Sequence, residues 1–145
     1  GREFIKLCAK ICGVKKSKRN QKIDCVIDLV GMKEAAKRRI STYSKGMLKR
    51  IGLAQALVHD PSLLILDEPT SDLDNKAEND FKLTLRKINE KFNTTIIVIS
   101  HSLKSISWAD SIIVVADGKI SASGTHKELL GTCGWYSESW KTEVE

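Results

Sequence analysis

Apolar residues recur along the chain with a helical period at both ends and in short unbroken runs in the middle. Positions 4, 5, 8, 11 and 12 fall on one face of a helix over residues 2–13. A second helix, from about Gln21 to Val30, turns Ile23, Val26, Ile27 and Val30 inward, with Gly13 and Gly31 as stops. Met47, Leu48, Ile51, Ala54, Leu57 and Val58 mark a longer helix to about His59, with Ser44 as its N-cap. Asp60-Pro61 turns the chain into Leu63-Leu64-Ile65-Leu66, an apolar run suited to a strand buried on both faces, and Pro69 stops it. Leu73, Phe81, Leu85 and Ile88 give the inner side of a helix over 75–92, and Thr94 to Ser100 forms a second buried strand. After a short helix through Trp108, Asp117-Gly118 joins strands 111–116 and 119–122 as a hairpin. Thr125 and Glu128 form a capping box for a helix reaching Leu130, and Trp135, Tyr136 and Trp140 mark the docking face of a last helix. Strands alternating with helices predict an α/β chain with a parallel sheet.

Charge divides this pattern in two. Residues 1–50 hold 15 Lys/Arg against 4 Asp/Glu, and residues 51–145 hold 9 against 14, within a net charge of +6. The basic front half suits either contact with nucleic acid or an anionic membrane face, or a plain solvated helix surface. Basic clusters stand at residues 15–19 and at Lys37-Arg38-Arg39. Cys8, Cys12, Cys25 and Cys133 lack the paired spacing of a zinc site, and Cys8 and Cys12 share the first helix's apolar stripe as small hydrophobes. Free thiols fit a reducing compartment, and the apolar runs fall far short of a membrane span. The chain opens at Gly1 without a methionine, as an excised piece of a longer protein would.

Ligands of open α/β sheets sit beyond the carboxyl ends of the strands, so Asp67 and Glu68 belong at the mouth of a crevice. Adjacent carboxylates there suit one residue near a metal and one acting as a base toward water. His101 follows the next strand and belongs at the same sheet edge. Ser44 and Gly46 at a helix start make either an anion site or an ordinary cap.

The order of these features resembles the ATP-binding cassette (ABC) ATPases. Tyr43-Ser44-Lys45-Gly46-Met47 looks like the signature motif, Leu63 to Asp67 like Walker B, and Glu68 like the catalytic glutamate. Ser71-Asp72-Leu73-Asp74 is similar to the D-loop, His101 to the switch histidine, and Asp117 through Gly124 to the closing hairpin. The resemblance spans residues 2–140, although Lys45 replaces the usual first glycine of the signature and Met47 its glutamine. It implies a P-loop NTPase-like three-layer α/β fold, present in part: a helical subdomain over 1–50, the Walker B, D-loop and switch half over 51–124, and a C-terminal segment over 125–145. The signature variant resembles export-type cassettes.

The same resemblance implies ATP and Mg²⁺ as ligands. Asp67 would hold Mg²⁺ through water, Glu68 would polarise the attacking water, and His101 would contact the γ-phosphate. Ser44, Lys45 and Gly46 would face ATP on a second cassette joined head to tail, with Asp72 and Asp74 in the loop between. Transmembrane transporter subunits are the other implied partner, on the cytoplasmic face of a membrane; nucleic acid is not expected. No G-x-x-x-x-G-K-[ST] occurs in the sequence, so the loop and lysine that cradle phosphates are expected in a missing N-terminal half, and the chain alone is expected to be inactive. Two other functions suit the same residues: a soluble cassette ATPase acting on nucleic acid or ribosomes, and a non-catalytic half-cassette that lends its signature face to a partner.

Overall fold

In the computed structural model, which describes residues 1–144, helix α1 (Arg2–Ile11) buries Ile5 and Ala9. Four residues apart, these share one helical face. Helix α2 (Lys16–Leu29) buries Ile23, Val26 and Ile27. It starts earlier than its apolar period suggests, because Lys16 to Asn20 include good helix formers with no apolar residue to announce the turn. Gly13 and Gly31, at φ 71° and 69°, take the left-handed conformation that stops each helix. The stripe expected on α1 is displaced: Ile11 is 76% exposed, Cys12 is exposed and Cys8 half-buried. Two residues along a helix turn a side chain through about 200°, so a face fixed by Ala9 points Ile11 away.

Single 3₁₀ turns at Ala35–Lys37 and Ile40–Thr42 flank Arg38 and Arg39, so the second basic cluster runs from the end of the first turn through the extended link. The buried Tyr43 closes this stretch, its hydroxyl donating to the Ala35 carbonyl at 2.7 Å. Helix α3 (Lys45–Leu57) buries Ile51, Leu53, Ala54 and Leu57, and α1, α2 and α3 pack pairwise. Strand β1 (Leu63–Asp67), helix α4 (Asn75–Phe92) and strand β2 (Thr95–Ile99) follow. A helical crossover between paired strands makes β1 and β2 parallel. Their entry is tied by the buried Thr94, whose hydroxyl donates to the Pro61 carbonyl at 2.9 Å while its own carbonyl accepts from Asn89 at 3.0 Å.

These strands are covered on one face, not on both as their apolar runs suggest. Leu64 is 5% exposed, whereas Leu63 is 47%, Ile65 59% and Ile97 46% exposed. The covered face shares a cleft with Leu53 of α3 and Phe81 of α4.

Two compact units divide at residue 98, within β2. The second holds helix α5 (Leu103–Ile106), strands β3 (Ile112–Ala116) and β4 (Lys119–Gly124), and helices α6 (His126–Thr132) and α7 (Gly134–Val144). Strands β3 and β4 pair antiparallel around Asp117 and Gly118, both at positive φ, with a register shift between Val114 and Val115. Leu103, Ile112, Val114, Leu129 and Tyr136 form the core of this unit. The Thr125–Glu128 capping box is formed on α6. Of the three aromatics, Tyr136 is fully buried and Trp140 packs against the core, while Trp135, a helical step from Tyr136, is 60% exposed.

Candidate functional site

The C-terminal end of β1 delivers Asp67 exposed and Glu68 half-buried, and there the backbone bends sharply. Glu68 sits at φ 45° and Asp72 at 62°, in the left-handed region that costs a residue with a side chain roughly 1–3 kcal/mol. Conformations of this kind persist only where neighbours hold them. The Ser71 amide donates to the Glu68 carbonyl at 3.3 Å, and the Ser71 hydroxyl donates to the same oxygen at 2.9 Å.

A residue that sequence reasoning did not single out completes this turn. Lys49, on α3, reaches across to it: its Nζ donates to the Ser71 carbonyl at 2.5 Å, the Ser71 Oγ at 3.0 Å and the Glu68 carbonyl at 3.2 Å. Burial lowers the ammonium's affinity for its proton, opposed by the nearby Asp72 and Glu68 charges and reinforced by Lys45. The available signal was a lysine on the stripe of Leu53 and Ala56, where a solvated side chain is not expected.

One turn earlier, Lys45 pairs with Asp72 at 3.6 Å, both largely exposed. Ser44 caps α3 by accepting from the Met47 amide at 3.3 Å. Gly46 faces Leu73, since a Cβ added there would meet a Leu73 methyl at 3.5 Å. Asp74 caps α4, accepting from the Ala77 amide at 2.7 Å. The first unit thus brings Lys45 to Asp72 and Gly46 to Leu73, and ties the Glu68 turn to α3 through Lys49, while Ser44 and Asp74 serve as caps of their own helices. The adjoining cleft, of about 250 Å³, is lined by Lys49, Leu53, Leu64, Asp67 and Glu68 among others.

His101 belongs to the second unit, where it is exposed just past β2. The segment after it is held by Glu143 of α7. Its carboxylate accepts from the Leu103 amide at 2.9 Å, the Lys104 amide at 3.1 Å and the Ser102 hydroxyl at 3.2 Å. Ser102 occupies the N-cap of α5 without accepting a cap bond itself, so the carboxylate supplies the cap.

No cluster of three or more His, Cys, Asp or Glu able to hold a metal exists among the described residues. Asp67 offers a single exposed carboxylate at the crevice. That donor set fits Mg²⁺ arriving with a phosphate and its own waters, and not an all-protein cage.

A parallel strand ending in two acids, one of them in a strained turn latched to the preceding helix α3, accompanies part of a P-loop NTPase-like α/β fold. The protein-family model described as ABC transporter matches residues 3–71. Methionine import ATP-binding protein MetN 2 of Burkholderia mallei is 41% identical over 130 residues, covering 88% of this chain and 32% of the relative. The uncharacterized ABC transporter ATP-binding protein YxlF of Bacillus subtilis is 37% identical over 128 residues, covering 88% and 43%. Among solved structures, a bacterial Atm1-family ABC exporter with ATP bound aligns over 97% of this chain and 26% of its own, with 25% identity and a TM-score of 0.78. The chain belongs to the ABC transporter ATP-binding domains. It spans 32% and 43% of the two curated relatives.

Proposed function

We propose that this chain supplies the signature, acid-pair and switch segments of an ATP-binding subunit that couples ATP binding and hydrolysis to transport across a membrane. The observation that carries the reading is the strained acid turn held against the first turns of the signature-like helix. Asp67 would face Mg²⁺ through water, and the ion would neutralise charge on the phosphates. Glu68 orients and polarises the attacking water, and His101 contacts the γ-phosphate. Ser44, Lys45 and Gly46 face the γ-phosphate of ATP on a second cassette, with Asp72 and Asp74 shaping the loop between the two sites. Residues 1–50 serve as the helical subdomain, 51–124 as the Walker B and switch half, and 125–145 as the C-terminal segment.

The partners of this reading are a second cassette, joined head to tail, and transmembrane subunits on the cytoplasmic face of a membrane. Among the described residues no helix is long and apolar enough to cross a membrane itself. Similar proteins include both a methionine import ATP-binding protein and an exporter, and coupling to ATP is common to both directions. A phosphate-cradling loop would come from sequence outside these 145 residues. Phosphoryl transfer depends on positioning and charge neutralisation, so this chain alone binds ATP weakly and hydrolyses it negligibly.

The test has two stages. Calorimetry of the 145-residue chain with Mg²⁺-ATP should show no binding tighter than about 10 μM, roughly 7 kcal/mol. A chimera that joins the upstream half of the YxlF cassette to Gly1 should hydrolyse ATP and lose that activity with Glu68→Gln. Tight binding by the chain alone, or a chimera whose hydrolysis ignores Glu68→Gln, would overturn the reading.

A further inference from the structure

We infer that Lys49 is a positioning residue that fixes the backbone of the acid turn and thereby aims the Glu68 carboxylate, an inference that rests on the function proposed above. All three hydrogens of its ammonium have acceptors on this turn: the Ser71 carbonyl, the Ser71 hydroxyl and the Glu68 carbonyl, at 2.5, 3.0 and 3.2 Å. None of these is the Glu68 carboxylate. Lys49 therefore sets the direction in which the acid leaves the chain while its own bonds go to backbone and hydroxyl oxygens.

Local bonds do not suffice for this task. Glu68 holds φ 45° without being glycine; the local bonds of the turn run from the Ser71 amide and hydroxyl to the Glu68 carbonyl and from the Leu73 amide to the Thr70 carbonyl, and none of them reaches the Ser71 carbonyl. The Ser71 carbonyl is satisfied from α3. Lys45 cannot replace Lys49, because its 3.6 Å pair with Asp72 is largely exposed and such pairs contribute little. A half-buried cation is tolerated where several acceptors replace its water, and here the acceptors lie on one turn. Arginine would not serve equally, since its planar fork cannot converge on three acceptors radiating from one point. Because Lys49 stands five residues after Ser44 on the same helix, a shift of the signature end also shifts the base.

Two measurements test this. In the 145-residue chain, Lys49→Met should speed amide hydrogen exchange at Ser71 and Leu73 at least about tenfold, leaving Leu85 and Ile88 of α4 unchanged; tenfold corresponds to about 1.4 kcal/mol of lost local stability. In the chimera, Lys49→Met should lower kcat for ATP about 10–100-fold with KM held within about twofold, the signature of a mispositioned group. Lys49→Gln, which keeps two donors, should recover part of both effects. Unchanged exchange at Ser71 would sink the inference whatever the chimera does. So would a kcat that ignores Lys49→Met while still depending on Glu68. A chimera whose hydrolysis is indifferent to Glu68 instead removes the functional reading, and with it any role for Lys49 in catalysis.

Discussion

The cap that Glu143 places on α5 permits a quantitative test of how the segment after His101 is held. Its carboxylate receives three hydrogen bonds, two from backbone amides and one from the Ser102 hydroxyl. Leu103 is 5% exposed, so its amide has little access to water if the carboxylate goes, whereas Lys104 is exposed and water can replace its bond. A hydrogen bond to a charged group contributes roughly 1.5–3 kcal/mol, and a helix cap about 1. Counting the Leu103 bond fully and the others at small weight, Glu143→Ala should cost the local structure about 2 kcal/mol. Glu143→Gln keeps one acceptor oxygen and should cost about half as much. Amide hydrogen exchange reads this directly: about 2 kcal/mol is a roughly 30-fold loss of protection at Leu103 and Lys104. Amides of β3 and β4 should change far less, because α5 can open as a single turn without unfolding the hairpin. Equal loss of protection at Leu103 and throughout the hairpin would mean that Glu143 stabilises the unit globally; no loss at Leu103 would mean that the cap is not formed in solution.

Two further outcomes follow from burial. Both tyrosines of the chain have phenols raised above the ordinary range: Tyr43 by burial, against the opposing charge of Arg38, and Tyr136 by burial and then by the Glu143 charge. Since the folded chain favours the neutral phenol, their contribution to stability is complete below about pH 10 and is lost as pH rises through the higher folded values. Absorbance at 295 nm followed with far-UV circular dichroism should show ionisation coinciding with unfolding, and reversible ionisation near pH 10 with the fold intact would contradict it. The uncovered face of β1 and β2, with Leu63, Ile65 and Ile97 each about half exposed, should drive self-association of the isolated chain. Sedimentation velocity across a concentration series should show this weakened by Ile65→Thr with Ile97→Thr, and a monodisperse monomer without substitutions would refute it.

The fold was legible where the signal was local and strong. Helix α4 runs over the residues its apolar spacing marks, Ser44 and Thr125 accept the cap bonds expected of them, and Asp117-Gly118 turns the hairpin. Readings failed where a pattern needed knowledge of what lies opposite. Leu63, Ile65 and Ile97 look like core because isoleucine and leucine in an unbroken run suit a strand with two covered faces, yet each of these side chains is about half exposed among the described residues. Ile11 and Cys12 fit a helical stripe by spacing, but the face that packs is set by Ile5 and Ala9. Burial direction is a tertiary property, and periodicity alone leaves it open.

The residues that motif reading passed over share one physical reason. Glu143 stands about 40 positions from the amides it caps, and Lys49 about 20 from the carbonyls it satisfies. In each case the local sequence lacks the group needed: Ser102 donates its hydroxyl and leaves the start of α5 without a side-chain acceptor, and the acid turn has no donor of its own for the Ser71 carbonyl. Polar backbone groups withdrawn from water must find partners somewhere. Asking where each one goes therefore identifies side chains that hold functional segments in place, even when those side chains belong to no motif. On that argument Lys49 and Glu143 should matter more to the geometry of Glu68 and of the segment following His101 than the exposed Lys45–Asp72 pair does, although Lys45 and Asp72 sit within the recognisable motifs.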